Sequence, residues 1–72
     1  MSINPNIEIG KAITARRDKM KLSLTDLATK AKMTEKRLLQ IELGKTNLHL
    51  GTLIQIAVAL DMKTYELVKD LC

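Results

Sequence analysis

The sequence predicts an all-α fold of five short helices in a single domain that spans residues 1–72, and three observations lead to this prediction. Hydrophobic residues make up 46% of the chain, but Tyr65 is the only aromatic residue, so the core must consist of aliphatic side chains. Leucine, alanine, lysine and methionine are frequent and β-branched runs are few, which favours helix over strand. Apolar residues recur every three or four positions between cap and turn residues, as on the buried faces of short helices.

The first two predicted helices begin at residues that favour helix N-termini. Asn4 and Pro5 offer a cap and a first-turn proline, and the helix that follows is predicted to run to about residue 20. Ser23, with Asp26 three residues later, has the pattern of a capping box and starts a short second helix. The apolar pattern of this helix breaks at residues 31–33.

The remaining three helices follow the same signals. Thr34 is a good cap for a third helix from Glu35 to about Leu43, and Gly44 suits the positive φ just past its end. The uncharged stretch 46–60 is too short to span a membrane and predicts a loop followed by a buried fourth helix. The apolar residues of this fourth helix, at three- and four-residue spacing, are Leu50, Leu53, Ile54, Ala57 and Leu60. A fifth helix over about residues 64–71 carries Tyr65, Leu67, Val68 and Leu71.

Positive charge is concentrated in the first part of the chain. Residues 1–45 hold ten of the 12 basic residues and five of the 8 acidic residues, a net charge of +5, which leaves −1 for residues 46–72. This asymmetry indicates a polyanionic partner for the basic part and a packing or partner surface for the rest. The lack of aromatic residues for base stacking counts against single-stranded nucleic acid as that partner.

Several classes of function have no support in the sequence. Cys72 is the only cysteine and cannot form an internal disulfide, and His49 has no second metal ligand near it in the chain. No serine, cysteine or carboxylate pair stands near a histidine, and there is no glycine-rich phosphate loop. The N-terminal residues lack the pattern of a signal peptide. We therefore expect a soluble, cytoplasmic protein that is not an enzyme and needs no cofactor, metal, membrane or small-molecule ligand.

The second and third helices, about residues 23–43, are predicted to form a helix-turn-helix, whose second helix can enter the DNA major groove. At about 100° per residue, Leu38 and Ile41 point to one side of the third helix, and Lys36, Gln40 and Leu43 point to the other. Glutamine can form two hydrogen bonds with adenine, and lysine can bind guanine. The outer side of the third helix therefore has the chemistry of base readout.

Short motifs recur at a specific spacing over about residues 8–68. They are Ile9-Gly10, Arg17, Leu22-Ser23, Leu27-Ala28, Met33-Thr34, Ile41-Glu42, Gly44-Lys45, Thr52-Leu53 and Ile56-Ala57. Their combined spacing resembles the phage-repressor and Cro type of helix-turn-helix, a family of small DNA-binding regulators of transcription. Its members have five helices in the lambda-repressor-like fold, are usually dimeric, and include phage repressors, restriction–modification controllers and antitoxins.

The resemblance implies a sequence-specific regulator of the repressor or controller type that binds a palindromic operator on double-stranded DNA as a homodimer. The residues expected to read bases are Thr34, Glu35, Lys36, Arg37, Leu39 and Gln40. The residues expected at the DNA backbone are Ser23, Thr25, Lys45, Thr46 and Asn47. The alternative is an antitoxin-like or antirepressor-like module on the same fold that binds a protein partner.

Two further sets of residues gain structural roles from the resemblance. Arg17 and Glu42 match a buried ion pair, although the helical wheel by itself leaves Arg16 open as the partner of Glu42. The dimer contact is expected from Val58, Met62, Tyr65 and Leu71, and simple completion of a small core is the alternative for these residues.

Five residues depart from the family pattern. Leu24 stands in place of the usual glutamine, Lys32 in place of the turn glycine and Leu48 in place of a loop proline, while Leu39 and Leu43 replace polar residues. We expect Leu24 to pack in the core, and Lys32 to adopt a left-handed conformation that costs about 1 kcal/mol. Leu39 and Leu43 can contact thymine methyl groups, form a protein-binding surface, or be exposed leucines without a functional role.

Overall fold

The computed structural model describes residues 5–68, which form five helices and no strand, so the predicted all-α fold is confirmed. The helices are α1 (Pro5–Lys19), α2 (Leu24–Lys30), α3 (Glu35–Glu42), α4 (Leu50–Ala59) and α5 (Thr64–Val68). α3 contacts α1 and α2, while α4 contacts α2 and α5, and α5 returns to contact α1. Within the described residues, no helix is both long and apolar enough to cross a membrane. The predicted end of the fifth helix at Leu71 lies outside the described residues.

Side chains that the sequence identifies as caps fix the starts of α2 and α3. The Asp26 N–H donates to Ser23 Oγ at 3.0 Å, and the Ser23 N–H donates to the Asp26 carboxylate at 3.1 Å. The backbone hydrogen bond from Ser23 lowers the pKa of Asp26 below its usual value. At α3, the Arg37 N–H donates to Thr34 Oγ1 at 3.1 Å. Both helices of the predicted helix-turn-helix therefore begin where the sequence places them.

The first four helices end in the same backbone arrangement, the Schellman motif. In each, the backbone N–H of the second residue after the C-cap donates to the backbone carbonyl five residues earlier in the chain. These bonds run from Leu22 to Arg17, from Met33 to Ala28, from Lys45 to Gln40 and from Met62 to Ala57. The residue before each donor has a positive φ, namely 58° at Lys21, 59° at Lys32, 72° at Gly44 and 55° at Asp61. The apolar donors Leu22, Met33 and Met62 also pack against the core, and this contact helps to hold the three non-glycine residues in the left-handed region.

The core lies between all five helices and is aliphatic throughout. Its largest fully buried side chains are Ile13, Leu27, Leu38, Ile41, Ile56 and Leu60. Leu24 and Leu48 are half-buried and pack against this cluster. The side chain at position 24 is thus part of the packing, as the apolar face of α2 predicts.

The prediction that α4 is buried is wrong for one side of the helix. Leu53, Ile56 and Ala57 are buried, whereas Leu50 is 68% exposed and Ile54 is 44% exposed. The apolar spacing could not distinguish the two sides, because α4 has no charged residue and is apolar nearly all round. Leu50, Ile54 and Val58 follow one another at intervals of four residues and form an exposed apolar row, which we call the α4 stripe.

Helices α1 and α3 meet at Gly10. A Cβ atom at this position would lie 2.4 Å from the Glu42 carbonyl oxygen and 2.7 Å from that of Ile41. These oxygens belong to the backbone of α3, so they cannot give way without moving the helix. Gly51, in α4, is the opposite case, because a Cβ atom there would have no neighbour within 4 Å.

We predict opposite effects for the same substitution at these two glycines. Gly10→Ala should lower the free energy of unfolding by about 1–3 kcal/mol or more, because α1 and α3 must separate. Gly51→Ala should raise it by about 0.5–1 kcal/mol, because alanine restricts the unfolded chain and fits the helix. Urea unfolding followed by circular dichroism measures both. Equal effects at the two positions would contradict the close approach of α1 and α3.

Candidate nucleic-acid interface

The turn between α2 and α3 sets the two helices of the predicted helix-turn-helix against each other. Leu38 and Ile41 face inward and are buried, whereas Lys36 and Leu39 are exposed and Gln40 is half-buried. Burial of one side of α3 therefore leaves the residues proposed for base readout on its outer side.

A buried ion pair anchors α3 to α1. Arg17 Nε donates to Glu42 Oε2 at 2.9 Å, and Arg17 Nη2 donates to Glu42 Oε1 at 3.1 Å. Only 5% of the Glu42 side chain and 17% of the Arg17 side chain are exposed. The hydrogen bond to Glu42 raises the pKa of Arg17, so the guanidinium stays charged. Arg16, which the helical wheel left open as the partner of Glu42, lies instead with its Nε 3.4 Å from the Leu60 carbonyl oxygen.

Two further contacts complete the surroundings of this ion pair. Thr14 Oγ1 lies 2.8 Å from Glu42 Oε1 and can donate its hydrogen there. Arg17 Nη1 donates to the Leu22 carbonyl at 3.0 Å, which ties the loop before α2 to the same cluster. Thr14 was not identified from the sequence, although its position one helical turn before Arg17 was a signal for it. The orientation of α3 therefore depends on α1 and on the loop that leads into α2.

The outer side of α3 and the loop after it form one shallow, open hollow of about 380 Å³. It is lined by Thr34, Lys36, Arg37, Gln40, Lys45 and Thr46. The structure thus brings four of the six residues proposed for base readout next to two of those proposed for the DNA backbone. Three of the lining residues are cationic and none is acidic, so the hollow suits a polyanion.

The loop that carries Lys45, Thr46 and Asn47 is held at its far end by the first turn of α1. Asn6 Nδ2 donates to Asn47 Oδ1 at 3.1 Å. A second hollow, of about 430 Å³, is lined by Asn6 and residues 44–47 and shares Lys45 and Thr46 with the first. Sequence reasoning missed Asn6, because nothing local indicates a contact between residues 41 positions apart.

Some of the proposed DNA-contacting side chains are engaged within the protein. Thr25 Oγ1 donates to the Glu35 carboxylate, which joins α2 to the start of α3. Arg37 Nη2 donates to Thr52 Oγ1 of α4 at 3.3 Å. Glu35 is therefore directed towards α2 and Arg37 towards α4. Lys36 and Gln40 occupy the middle of the outer side between them.

The residues proposed for a dimer contact are only partly brought together in the described part of the chain. Val58 and Tyr65 are exposed, whereas Met62 is half-buried and packs against the core. Leu71 lies outside the described residues. Among residues 5–68, no group of three or more His, Cys, Asp or Glu side chains could hold a metal ion.

Comparison with known families supports the arrangement of α2 and α3. Residues 13–67 match the sequence model of a family described as helix-turn-helix. The chain belongs to this helix-turn-helix family. The protein is therefore a DNA-binding protein that regulates transcription.

Two solved helix-turn-helix structures are similar to this chain. The restriction–modification controller protein C.AhdI from Aeromonas hydrophila is 26% identical, with a TM-score of 0.82 over 85% of this chain and 92% of the other. The clp gene regulator ClgR from C. glutamicum is 17% identical, with a TM-score of 0.90 over 96% of this chain and 90% of the other. At that identity, ClgR supports the fold alone. No curated protein sequence matches the chain significantly.

We predict that Arg17 contributes far more to stability than its neighbour Arg16. Arg17→Ala should lower the free energy of unfolding by about 3 kcal/mol, because it leaves the Glu42 carboxylate buried without its cation. Arg16→Ala removes only a long hydrogen bond to a carbonyl and should cost less than about 1 kcal/mol. Urea unfolding of both variants measures the difference.

A double substitution separates the ion pair from other effects of Arg17. Replacing both partners, as in Arg17→Met with Glu42→Leu, should restore most of the stability lost in Arg17→Ala, because no buried charge is left unpaired. A double variant as unstable as Arg17→Ala would show that the loss does not come from the unpaired carboxylate.

Proposed function

We propose that the protein is a sequence-specific regulator of transcription, of the repressor or controller type, that binds double-stranded DNA through α3. The observation that carries this proposal is the hollow in which Lys36 and Gln40 of α3 adjoin Lys45 and Thr46 of the following loop. An α-helix fits the major groove, which is about 12 Å wide. The role of C.AhdI as a restriction–modification controller supports the controller type.

In this proposal, the middle of α3 reads bases. Gln40 has the donor and acceptor needed to bind adenine N6 and N7, and Lys36 can donate to guanine O6 and N7. The flanking candidates are Thr34, Glu35, Arg37 and Leu39. The Thr25–Glu35 and Arg37–Thr52 hydrogen bonds hold two of these side chains to the sides, so we expect Lys36 and Gln40 to contribute most to specificity.

The DNA backbone would be held from both sides of α3. Lys45, Thr46 and Asn47 lie on the loop that follows α3, and Asn6 fixes the end of this loop. Ser23 Oγ accepts a hydrogen bond from Asp26, so its own hydrogen can still be donated to a phosphate. These residues would set the register of the protein on the duplex without reading its sequence. The Thr25 hydroxyl donates its hydrogen to Glu35, so Thr25 would have to exchange that hydrogen bond to contact a phosphate.

The protein would act as a homodimer. α4 carries no charge, and its stripe of Leu50, Ile54 and Val58, with Tyr65 nearby in sequence, leaves apolar side chains exposed. A two-fold axis would place the same row on both partners, as in an isologous interface. The two α3 helices would then enter successive major grooves about 34 Å apart, which requires an approximately palindromic operator.

Substitutions at Gln40 and Lys45 should have different effects on DNA binding. Gln40→Ala should lose discrimination at one base pair of each half-site, about 1–3 kcal/mol, whereas Lys45→Ala should weaken all sequences alike. Lys45→Ala should also reduce the slope of log affinity against log salt concentration by about one unit, because one phosphate contact is lost. Fluorescence anisotropy with duplexes selected from a random library measures both effects.

A matched control comes from outside the hollow. Lys63→Ala removes the same side chain as Lys45→Ala from the segment before α5 and should keep the specificity and salt dependence of the parent. A parent protein that selects no duplex would contradict the proposed function and favour the protein-binding alternative. A Gln40→Ala variant that keeps the base preferences of the parent at every position would show that Gln40 does not read bases.

A charge on the α4 stripe should separate the dimer. Val58→Lys should convert the parent dimer to a monomer, because two like charges would meet at the two-fold interface. Val58 is 72% exposed, so the monomer should still fold. Thr29→Lys adds the same charge to an exposed position of α2 and should leave the dimer intact. Sedimentation velocity distinguishes these states, and a parent that stays monomeric at all concentrations would contradict the proposal.

A further inference from the structure

Two leucines on the outer side of α3 have no role in the core. Leu39 is 42% exposed and Leu43 is 50% exposed, although α3 already fills its inner side with Leu38 and Ile41. The two leucines are four residues apart, so they lie one above the other on the same side of the helix. They form a short apolar row next to the polar row of Lys36 and Gln40.

The apolar row and the polar row belong to one surface. Residues 36, 39, 40 and 43 have the spacing i, i+3, i+4 and i+7, which places all four within about 100° around the helix. From residue 36 to residue 43 the helix rises about 10 Å, which corresponds to about three base-pair steps. A groove that receives Lys36 and Gln40 therefore also receives Leu39 and Leu43.

In the major groove, the thymine C5-methyl group is the apolar substituent that an aliphatic side chain can contact. The groove edges of guanine, cytosine and adenine present hydrogen-bonding groups, and thymine adds a C5-methyl group. A leucine set against a donor or acceptor would remove its water without replacing the hydrogen bond, which is unfavourable. A leucine set against a methyl group buries apolar surface on both partners.

The charges around the leucines favour DNA over a protein as the occupant. Lys36, Arg37 and Lys45 line the adjacent hollow, and no acidic residue does so. Two acids lie beside the row: Glu42 is turned inward and paired with Arg17, and Glu35, one turn before Leu39, accepts a hydrogen bond from Thr25 of α2. On the side of the hollow the two leucines are bordered by cations alone, which match a phosphate backbone.

We propose that Leu39 and Leu43 form a binding site for thymine C5-methyl groups and thereby determine the specificity of the protein for thymine at defined positions of each half-site. This inference rests on the proposed function, because it requires α3 to lie in the major groove. It adds Leu43 to the reading surface and assigns the chemical group that both leucines bind.

The test replaces thymine by deoxyuridine, which lacks only the methyl group. Duplexes are first selected from a random library with the parent protein, and each thymine of the selected site is then replaced singly. We expect at least one position per half-site at which the replacement weakens binding about fourfold, the effect of one buried methyl group. At that position, Leu39→Ala or Leu43→Ala should bind the thymine and deoxyuridine duplexes equally.

Two control variants keep the result interpretable. Leu39→Met retains an apolar side chain of similar size and should retain the preference for thymine. Thr29→Ala shortens an exposed side chain of α2 outside both proposed interfaces and should leave the preference of the parent unchanged. Because Leu39 and Leu43 are half exposed, the alanine variants should keep the helical circular dichroism spectrum of the parent.

The outcomes separate the thymine-methyl inference from the proposed function on which it rests. Selected sites in which no deoxyuridine weakens binding would overturn the inference while leaving the proposed function intact. A thymine preference that persists unchanged in both alanine variants would overturn it as well. Failure to select any duplex would contradict the proposed function itself, and the inference would fall with it.

Discussion

The carboxylate of Glu42 holds together the parts of the molecule that the interface needs. It accepts hydrogen bonds from Arg17 and Thr14 of α1, and Arg17 extends the cluster to the Leu22 carbonyl before α2. The glycine at position 10 lets the backbones of α1 and α3 come close enough for these bonds. Because Glu42 is itself in α3, this one buried charge fixes the helix in rotation, and Lys36 and Gln40 face outward as a result.

Most of the fold could be predicted from local chemistry, and the exceptions have a common cause. Ser23, Thr34 and Gly44 act through their own backbone neighbours, so their roles at helix ends follow from the sequence. Lys21 and Asp61 adopt the same conformation as Gly44, but lysine and aspartate rarely do so, and the only local signal is the apolar residue that follows each of them. The sequence could not identify the exposed side of α4, because this helix has no charged residue and is apolar nearly all round. No polar side therefore marks which residues face the solvent.

The candidate site shows the same limit. The outward position of Lys36 and Gln40 follows from helical periodicity, and the hollow they share with Lys45 adds the loop to this surface. The hydrogen bonds that restrain Glu35, Arg37 and Asn47 join residues 10, 15 and 41 positions apart. Such contacts depend on how the helices pack, so periodicity and spacing cannot identify them. These hydrogen bonds divide the candidate residues into two groups: Lys36 and Gln40 in the middle of α3, and side chains that neighbouring helices hold in place.

The shared ending of the first four helices has a consequence for how such a protein can change over evolutionary time. Three of these endings place a lysine or aspartate in a left-handed conformation that costs about 1 kcal/mol each, a large part of the roughly 5–15 kcal/mol that stabilises a typical domain. All three residues are exposed, and glycine adopts this conformation without the steric penalty of a Cβ atom. Single substitutions at helix ends can therefore restore stability lost elsewhere. This reserve would let α3 accept destabilising replacements without loss of the fold.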